Sequence, residues 1–329
     1  MIWNYRAPWW LPGGNAQTIY AAKLAPRHGE RPPSWSRERW DTPDGDFVDI
    51  DWLVQEPYPE PHKEQDKPLL ILFHGLEGSS SSHYAEAFAA EVSQRGWDMA
   101  VVHFRGCSGE INWAPRAYHS GDFEEIDWML KRFRAQHSGP LFAVGISLGG
   151  NALMRWAGEM GQTATQVVDA IASVCSPIDL AASGHAIDTG LNKAVYARMF
   201  LATMKPRAMQ KLQQFPGLFD PQELMAAQTL YAFDDVFTAP LHGFMGTDDY
   251  WSRASAKLGL SRVRVPALVL NARNDPFMPA SCLPTQDQVS DAVTLWQPDE
   301  GGHVGFTSGR FPGDLKEMPW AVLEWMTHG

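Results

Sequence analysis

One short stretch, residues 141–151, constrains the fold of this chain more than any other. It starts with the apolar run LFAV, tightens through GISLGGN and continues into a helix-forming sequence. A strand, a sharp turn and a helix, with Ser147 at the apex between two glycines, are the setting of a nucleophile elbow. Side chains at the glycine positions would collide with the neighbouring strand and helix. The stretch therefore predicts a serine hydroxyl that projects above a sheet, at the amino terminus of a helix.

Strand and helix patterns alternate on both sides of this elbow. Apolar runs suited to buried strands occur at 69–73, 97–104, 167–174, 267–271 and 292–296. Helices are predicted at about 83–95, from Asp122 onward and at about 315–326, and a hairpin at 36–54 around the turn TPDG. The alternation predicts an α/β fold: a mostly parallel, doubly wound sheet with helices on both faces.

The alternation stops between about Pro177 and Val265. This stretch carries helix and loop signals, several methionines and no strong strand pattern. Ligands of α/β sheets bind at the carboxyl ends of the strands, so we interpret 178–265 as a lid inserted over that edge. The chain of 329 residues is then a single domain, 1–329, that contains the lid. The first 35 residues are expected to be irregular, with one or two helical turns and aromatic side chains that wrap the core.

Charge and cysteine content argue against several classes of protein. The net charge of −11 leaves no dominant basic surface, so nucleic-acid binding is not expected. Three cysteines without C-x-x-C spacing indicate neither a disulfide framework nor a zinc site, and they favour a cytoplasmic location. The sequence shows no signal-peptide pattern and no apolar run of membrane-spanning length. We expect no metal and no organic cofactor.

The serine needs two partners before it can act as a nucleophile. An imidazole must take its proton, and a carboxylate must orient that imidazole. In a fold of this type the partners follow the serine at the ends of later strands, in the order Asp and then His. Asp275 follows one strand pattern in NARNDPFMP, and His303 follows the next in GGHVGF. We predict that Ser147, Asp275 and His303 form a catalytic triad. Weaker rivals for the carboxylate are Asp234, Asp235, Asp248 and Asp249, and Cys107 is a weaker rival for the nucleophile.

A triad of this kind also needs donors for the negative charge on the carbonyl oxygen in the transition state. The backbone N–H of Leu148, directly after the serine, is one predicted donor. The second should come from the loop after the strand at 69–73, which reads HGLEG, and the backbone N–H of Leu76 is its natural candidate. We interpret His74 in the same loop as a structural hydrogen-bonding residue and not as a second base.

The motifs HGLEG, GISLGGN, NARNDPFMP and GGHVGF together resemble serine hydrolases of the α/β-hydrolase superfamily. The opening WWLPGGNAQT and the segment YAFDDVFTAPLHGF resemble one branch of it, which contains bacterial esterase-like proteins, yeast medium-chain fatty-acid ethyl ester synthases/esterases and mammalian lipid hydrolases. The resemblance covers nearly the whole chain. It implies carboxylic ester hydrolysis through an acyl-enzyme, with Ser147, Asp275 and His303 in the catalytic positions.

The lid sequence bears on the substrate. Between Thr189 and Phe219 there is no Asp or Glu but there are five basic residues: Lys193, Arg198, Lys205, Arg207 and Lys211. We favour a solvated basic face over an apolar core, with peripheral contact to a lipid surface as the alternative. The expected partner is a small-molecule ester with a short- to medium-chain acyl group. An alcohol acyltransferase, cleavage of amides or thioesters, and a catalytically inactive binding protein of the same fold remain open alternatives.

Overall fold

The protein is described here by a computed structural model that covers residues 3–28, 31–55 and 67–328. Within these ranges eight strands form one sheet in the order β1-β2-β4-β3-β5-β6-β7-β8. The strands are β1 (Ser34–Asp41), β2 (Phe47–Val54), β3 (Leu69–Phe73), β4 (Asp98–His103), β5 (Leu141–Ile146), β6 (Ala170–Val174), β7 (Ala267–Leu270) and β8 (Val293–Trp296). Strands β3 to β8 run parallel to one another, and β2 pairs antiparallel with β1 and β4. The predicted α/β fold is confirmed.

Helices follow most of the strands. They are α1 (Gly14–Lys23), α2 (His83–Arg95), α3 (Phe123–Gln136), α4 (Leu148–Met160), α5 (Leu180–Ile187), α6 (Gly190–Asn192), α7 (Arg198–Gln214), α8 (Pro221–Ala226), α9 (Leu230–Phe233), α10 (Ala239–Leu241), α11 (Thr247–Ala254) and α12 (Glu317–His328). Local signals set several of their ends. Asp122 caps α3 by accepting a hydrogen bond from the Glu125 N–H, and Gly96 ends α2 in the left-handed conformation.

Strands β3, β5, β6 and β7 are buried on both faces, as their continuous apolar sequences require, whereas the edge strand β1 is largely exposed. Successive side chains of β3 point to opposite faces, so the strand contributes to two cores. On one face Leu69, Ile71 and Phe73 pack with residues of α3 and α4. On the other face Leu70 and Leu72 pack with residues of α2 and α12. The elbow between β5 and α4 therefore stands on a sheet that both helical layers hold in place.

Most predicted elements are confirmed, with shifts at their ends. The hairpin forms in the expected register, with Asp41 paired to Phe47. Strand β6 begins at Ala170 and not at Val167, because a 3-10 turn over Gly161–Gln166 leads into it. The polar loop predicted before β3 falls mostly on 56–66, outside the described residues.

The amino-terminal segment differs from its prediction. A helix of ten residues, α1, forms where one or two helical turns were expected. The Trp9 side chain is 92% exposed, so this aromatic residue does not wrap the core. Trp3 fits the expectation better, since its ring packs against Trp296 and Phe306. The amino-terminal segment therefore lies beside the carboxyl-terminal part of the chain, which carries His303.

Residues 178–265 lie between β6 and β7 and contain helices α5 to α11, without a strand. They have an apolar cluster of their own, to which Phe277 from the loop after β7 also belongs. Within the described part of the chain, no helix is both long enough and apolar enough to cross a membrane.

Candidate active site

The turn between β5 and α4 has the strained geometry that the sequence predicts. Ser147 has φ 51° and ψ −118°, and its N–H donates to the carbonyl oxygen of Val174 at 2.9 Å. A Cβ at Gly149 would lie 2.5 Å from the carbonyl oxygen of Phe73, and one at Gly145 would overlap Gly150. These glycines are thus required by close backbone approach, and the turn leaves the serine side chain in a cavity.

The three residues predicted as a triad lie together at the carboxyl edge of the sheet. Ser147 Oγ is 3.0 Å from His303 Nε2, and His303 Nδ1 is 2.9 Å from Asp275 Oδ2. The Asp275 carboxylate is fully buried, and its other oxygen accepts the Phe277 N–H at 2.8 Å. A proton on Nδ1 donates to Asp275 and leaves the Nε2 lone pair free to accept the serine proton. The arrangement can therefore perform general-base activation of the hydroxyl.

Backbone strain is concentrated around this arrangement. Among the residues that the structure describes, four other than glycine have positive φ: Glu77 (58°), Ser147 (51°), Cys175 (51°) and Val304 (54°). Each lies in a loop that follows a strand, namely β3, β5, β6 or β8. Such conformations cost about 1–3 kcal/mol each and persist where surrounding contacts enforce them, which is common at functional sites.

Helix α1 holds the loops that carry Asp275 and His303. The Gln17 Oε1 atom accepts hydrogen bonds from the Gly301 N–H at 2.9 Å and from Asn274 Nδ2 at 3.0 Å. Thr18 Oγ1 accepts the His303 N–H at 2.8 Å. Neither role was predicted from the sequence. A buried Gln and Thr that follow Gly-Gly in WWLPGGNAQT were the available signal, but their partners lie more than 250 residues away.

The same helix makes very close backbone contact with those loops. A Cβ on Gly14 would overlap the carbonyl oxygen of Asn274. A Cβ on Gly302 would lie 2.5 Å from the Gly14 carbonyl oxygen, and one on Gly305 would lie 2.5 Å from that of Gln17. Glycines on both partners therefore permit the contact.

The loop after β3 is fixed on both sides of Leu76. The Gly75 N–H donates to Tyr84 Oη at 2.9 Å, and the Glu77 N–H donates to Tyr118 Oη at 3.0 Å. For the Leu76 N–H itself, the described residues provide no hydrogen-bond acceptor. A fixed loop with one free donor is suited to binding an oxyanion. The second predicted donor, Leu148, is the first residue of α4, and both leucines line the same cavity as Ser147.

His74, the first residue of this loop, stabilises it through two hydrogen bonds. Its Nε2 accepts the Phe104 N–H at 3.1 Å, and its Nδ1 donates to the Gly75 carbonyl oxygen at 2.7 Å. Complete burial lowers the pKa of His74 to about 3, so the ring is neutral. Its hydrogen bonds agree with the structural role interpreted from the sequence.

A cavity opens above the serine. It holds about 1180 Å³ of empty space, including its opening to solvent, which is the scale of a small-molecule site. Ser147 and His303 line one part of it, and helices of residues 178–265 line much of the rest. Apolar lining residues from that segment are Leu180, Ile187, Phe200, Met204, Leu230, Phe233, Phe237 and Trp251.

Two basic residues of the same segment point inward, and this corrects the solvated-face interpretation for them. Lys211 is 2% exposed and donates from Nζ to the carbonyl oxygens of Asn112 and Ala114 at 2.6 and 2.9 Å. Arg207 Nη1 donates to Glu77 Oε1 at 2.9 Å. Both lie on the face of α7 that lines the cavity. Arg198 on the same helix is exposed, as expected.

The rival residues have other roles. Asp234 accepts hydrogen bonds from Thr238 and Trp251, and Asp235 accepts the Thr247 N–H, so both stabilise the segment 178–265. Asp248 and Asp249 belong to α11 of that segment, whereas the carboxylate bonded to His303 is that of Asp275. Burial raises the pKa of the Cys107 thiol to about 12, which leaves it unreactive at neutral pH. Among the described residues, no group of three or more His, Cys, Asp or Glu could hold a metal ion.

Comparisons with known proteins agree with the fold. A family model for the alpha/beta hydrolase fold matches residues 68–309. YheT of Escherichia coli, whose name marks it only as a candidate esterase, is 36% identical over 298 residues, covering 90% of this chain and 85% of its own. Mouse phospholipase ABHD3 is 26% identical, with coverage of 94% and 74%. The solved structure of the Pyrococcus furiosus esterase Pf2001 superposes with a TM-score of 0.53 at 15% identity, over 99% of this chain and 98% of that one. The chain therefore belongs to the α/β-hydrolase family, in a branch whose members carry esterase and lipase names.

Proposed function

We propose that this protein hydrolyses carboxylic esters of short- to medium-chain acyl groups through an acyl-enzyme on Ser147. The hydrogen-bonded series from Ser147 Oγ to His303 Nε2, at 3.0 Å, and from His303 Nδ1 to Asp275, at 2.9 Å, carries this proposal. A hydroxyl in line with an oriented imidazole is the arrangement that acyl transfer requires.

The mechanism follows from the positions of the side chains. His303 takes the serine proton as Ser147 attacks the ester carbonyl, and the carbonyl oxygen becomes an oxyanion. The N–H groups of Leu76 and Leu148 stabilise that charge, and each such donor contributes about 3 kcal/mol to transition-state stabilisation. His303 then protonates the leaving alcohol. Water, deprotonated by the same imidazole, attacks the acyl-enzyme and releases the acid and free Ser147.

The cavity supports the choice of substrate. Its lining by Leu, Ile, Phe and Met side chains suits an apolar acyl chain, and Met204 adds a flexible side chain that adapts to different chain lengths. Two of the relatives carry the names esterase and phospholipase, which denote activity on esters. These names favour an ester over an amide as the substrate. We further propose that residues 178–265 form the lid of a single domain, 1–329, and that the protein is cytoplasmic.

The test is hydrolysis of p-nitrophenyl esters from acetate to palmitate by the wild type and by Ser147→Ala. We expect turnover that peaks at short to medium chains and falls by at least about 10⁴-fold in the variant. Equal rates for the two proteins would refute the proposal. Assays with added ethanol distinguish the acyltransferase alternative. If the ethyl ester forms faster than the free acid, acyl transfer and not hydrolysis is the function.

A further inference from the structure

Glu77 occupies an unusual position beside the Leu76 donor. Its backbone is in the left-handed region, with φ 58°, and its side chain is only 10% exposed. Its Oε1 atom accepts two hydrogen bonds, from Arg207 Nη1 at 2.9 Å and from Tyr118 Oη at 3.0 Å. The Glu77 carboxylate is therefore buried next to a candidate oxyanion donor and is hydrogen-bonded to a residue of the lid segment. The triad itself does not require such a carboxylate.

The hydrogen bonds form a directed series. Arg207, on α7, neutralises the Glu77 carboxylate, and that carboxylate orients the Tyr118 hydroxyl by accepting its proton. The lone pairs of the same hydroxyl then face the Glu77 N–H, which donates to it at 3.0 Å. The Tyr118 ring is itself fixed by stacking on Phe104, with centroids 5.4 Å apart and planes within 5°. We call Arg207, Glu77 and Tyr118 the lid clamp.

Arg207 is the cation on which the charge balance of the lid clamp depends. Among the described residues, the cation that forms an ion pair with Glu77 is Arg207. The Glu77 Oε2 atom is buried and has no hydrogen-bond partner in that part of the chain. Removal of Arg207 would leave a buried carboxylate without a counter-ion, which is strongly unfavourable. The loop would then be expected to rearrange.

We propose that Arg207 is a positioning residue through which helix α7 holds the Leu76 N–H in place for the oxyanion. The inference rests on the proposed function, since it assigns a consequence to the proposed role of Leu76. Displacement of α7 would break the ion pair and loosen the loop next to the donor. Transition-state stabilisation is therefore coupled to the closed position of the lid, and the effect belongs in kcat and not in KM.

The experiment compares three variants of α7. Arg207→Met removes the charge and keeps much of the side-chain length, and Arg207→Lys restores a cation. Arg198→Met makes the same change at an exposed position of the same helix. For an ester that the wild type hydrolyses, we expect Arg207→Met to lower kcat by about 10- to 100-fold with KM within about threefold, below the loss for deleting a whole donor. Arg207→Lys should recover most of the loss, and Arg198→Met should match the wild type.

An inhibitor separates positioning from a general structural role. A trifluoromethyl ketone adds to the serine as a hemiketal whose oxyanion occupies the same site, so Arg207→Met should weaken its binding in proportion to the loss of kcat/KM. Binding of the corresponding alcohol, which forms no oxyanion, should stay unchanged. A kcat within about twofold of the wild type, a loss confined to KM, or equal weakening of both ligands would overturn the inference.

Tyr118→Phe keeps the inference testable if Arg207→Met does not fold. This variant preserves the ring and its stacking and removes only the hydroxyl. We expect it to lower kcat, and to add little when combined with Arg207→Met where both fold, because the two residues act through one contact. Fully additive effects would contradict the lid clamp. A wild type that fails to react with fluorophosphonates would instead refute the proposed function, independently of these variants.

Discussion

The candidate site is held on two sides by different kinds of contact. On the α1 side, Gln17 and Thr18 accept neutral hydrogen bonds from the loops that carry Asp275 and His303, across a backbone contact that glycines permit. On the lid side, the charged pair of Arg207 and Glu77 fixes the loop of Leu76. The first contact is short and mostly backbone, whereas the second connects long side chains from separate segments.

This difference assigns distinct properties to the two halves of the mechanism. On the α1 side the backbones approach so closely that a Cβ on Gly14 or Gly302 would overlap the facing backbone, so we expect the base and its carboxylate to stay aligned. The lid side depends on an ion pair that an opening movement of α7 would break. We therefore expect the groups that transfer the proton to stay aligned whatever the position of the lid. Stabilisation of the oxyanion is expected to depend on that position.

Among the contacts that hold the site on these two sides, the largest effect is expected from the glycines at the start of α1. Gly14→Ala should lower kcat by about 100-fold, because the new Cβ overlaps the carbonyl of Asn274 and displaces the adjacent Asp275. Gly13→Ala is the control for backbone strain: its Cβ meets open space, but φ 78° and ψ 149° lie in a region that glycine almost alone adopts, which adds about 1–3 kcal/mol of strain without steric overlap. Steady-state kinetics and thermal unfolding of both variants test the claim. Equal kcat values would show that the close contact does not align the base.

A smaller effect is expected at Thr18. Thr18→Val preserves the shape of the side chain but removes the acceptor of the His303 N–H, and an unsatisfied buried N–H costs about 1–3 kcal/mol. We expect kcat to fall about tenfold, with Thr18→Ser close to the wild type. If Thr18→Val keeps full kcat and loses only stability, the hydrogen bond supports the fold and not the orientation of the imidazole.

The smallest effect on kcat is expected from a property that both sides share, because this property acts on stability. Burial lowers the pKa of His74, under the Leu76 loop, to about 3, and that of His83, which donates to the Val304 carbonyl, to about 4. The unfolded chain binds protons near pH 6.5, before either folded histidine does. The free energy of unfolding should thus fall as pH drops below about 6.5, by about 1.4 kcal/mol per pH unit for each histidine.

His83→Gln tests this on the α1 side alone. The amide can still donate to Val304 but cannot take up a proton. Urea unfolding at pH 7 and pH 5 should show a slope reduced by about one proton relative to the wild type. An unchanged slope would mean that His83 is not a neutral buried group.

The comparison also shows what the sequence could predict. Hydrophobic runs and turn residues located the strands, because a parallel sheet requires continuous apolar segments. Ser147, Asp275 and His303 could be selected because each stands just after a strand, and the parallel strands end at the same edge of the sheet. Chain order and local pattern were sufficient to bring these three residues together.

The contacts that hold the site could not be predicted in the same way. Gln17 and Thr18 act on residues at the far end of the chain, and local periodicity contains no information about such pairs. On α7, Arg207 and Lys211 share a stripe with Phe200 and Met204, at spacings of three and four residues. That spacing indicated an inward face. From their charge alone, both cations were predicted to face solvent, because cations are rarely buried without partners. Only the fold shows what those partners are.

The most direct test of the central claim is the reaction of the protein with a fluorophosphonate, followed by mass spectrometry of the intact chain and its peptides. We expect one adduct per chain, located on Ser147, with labelling abolished in Ser147→Ala and slowed strongly in His303→Ala. A label on another residue, or equal labelling of the wild type and Ser147→Ala, would contradict the central claim.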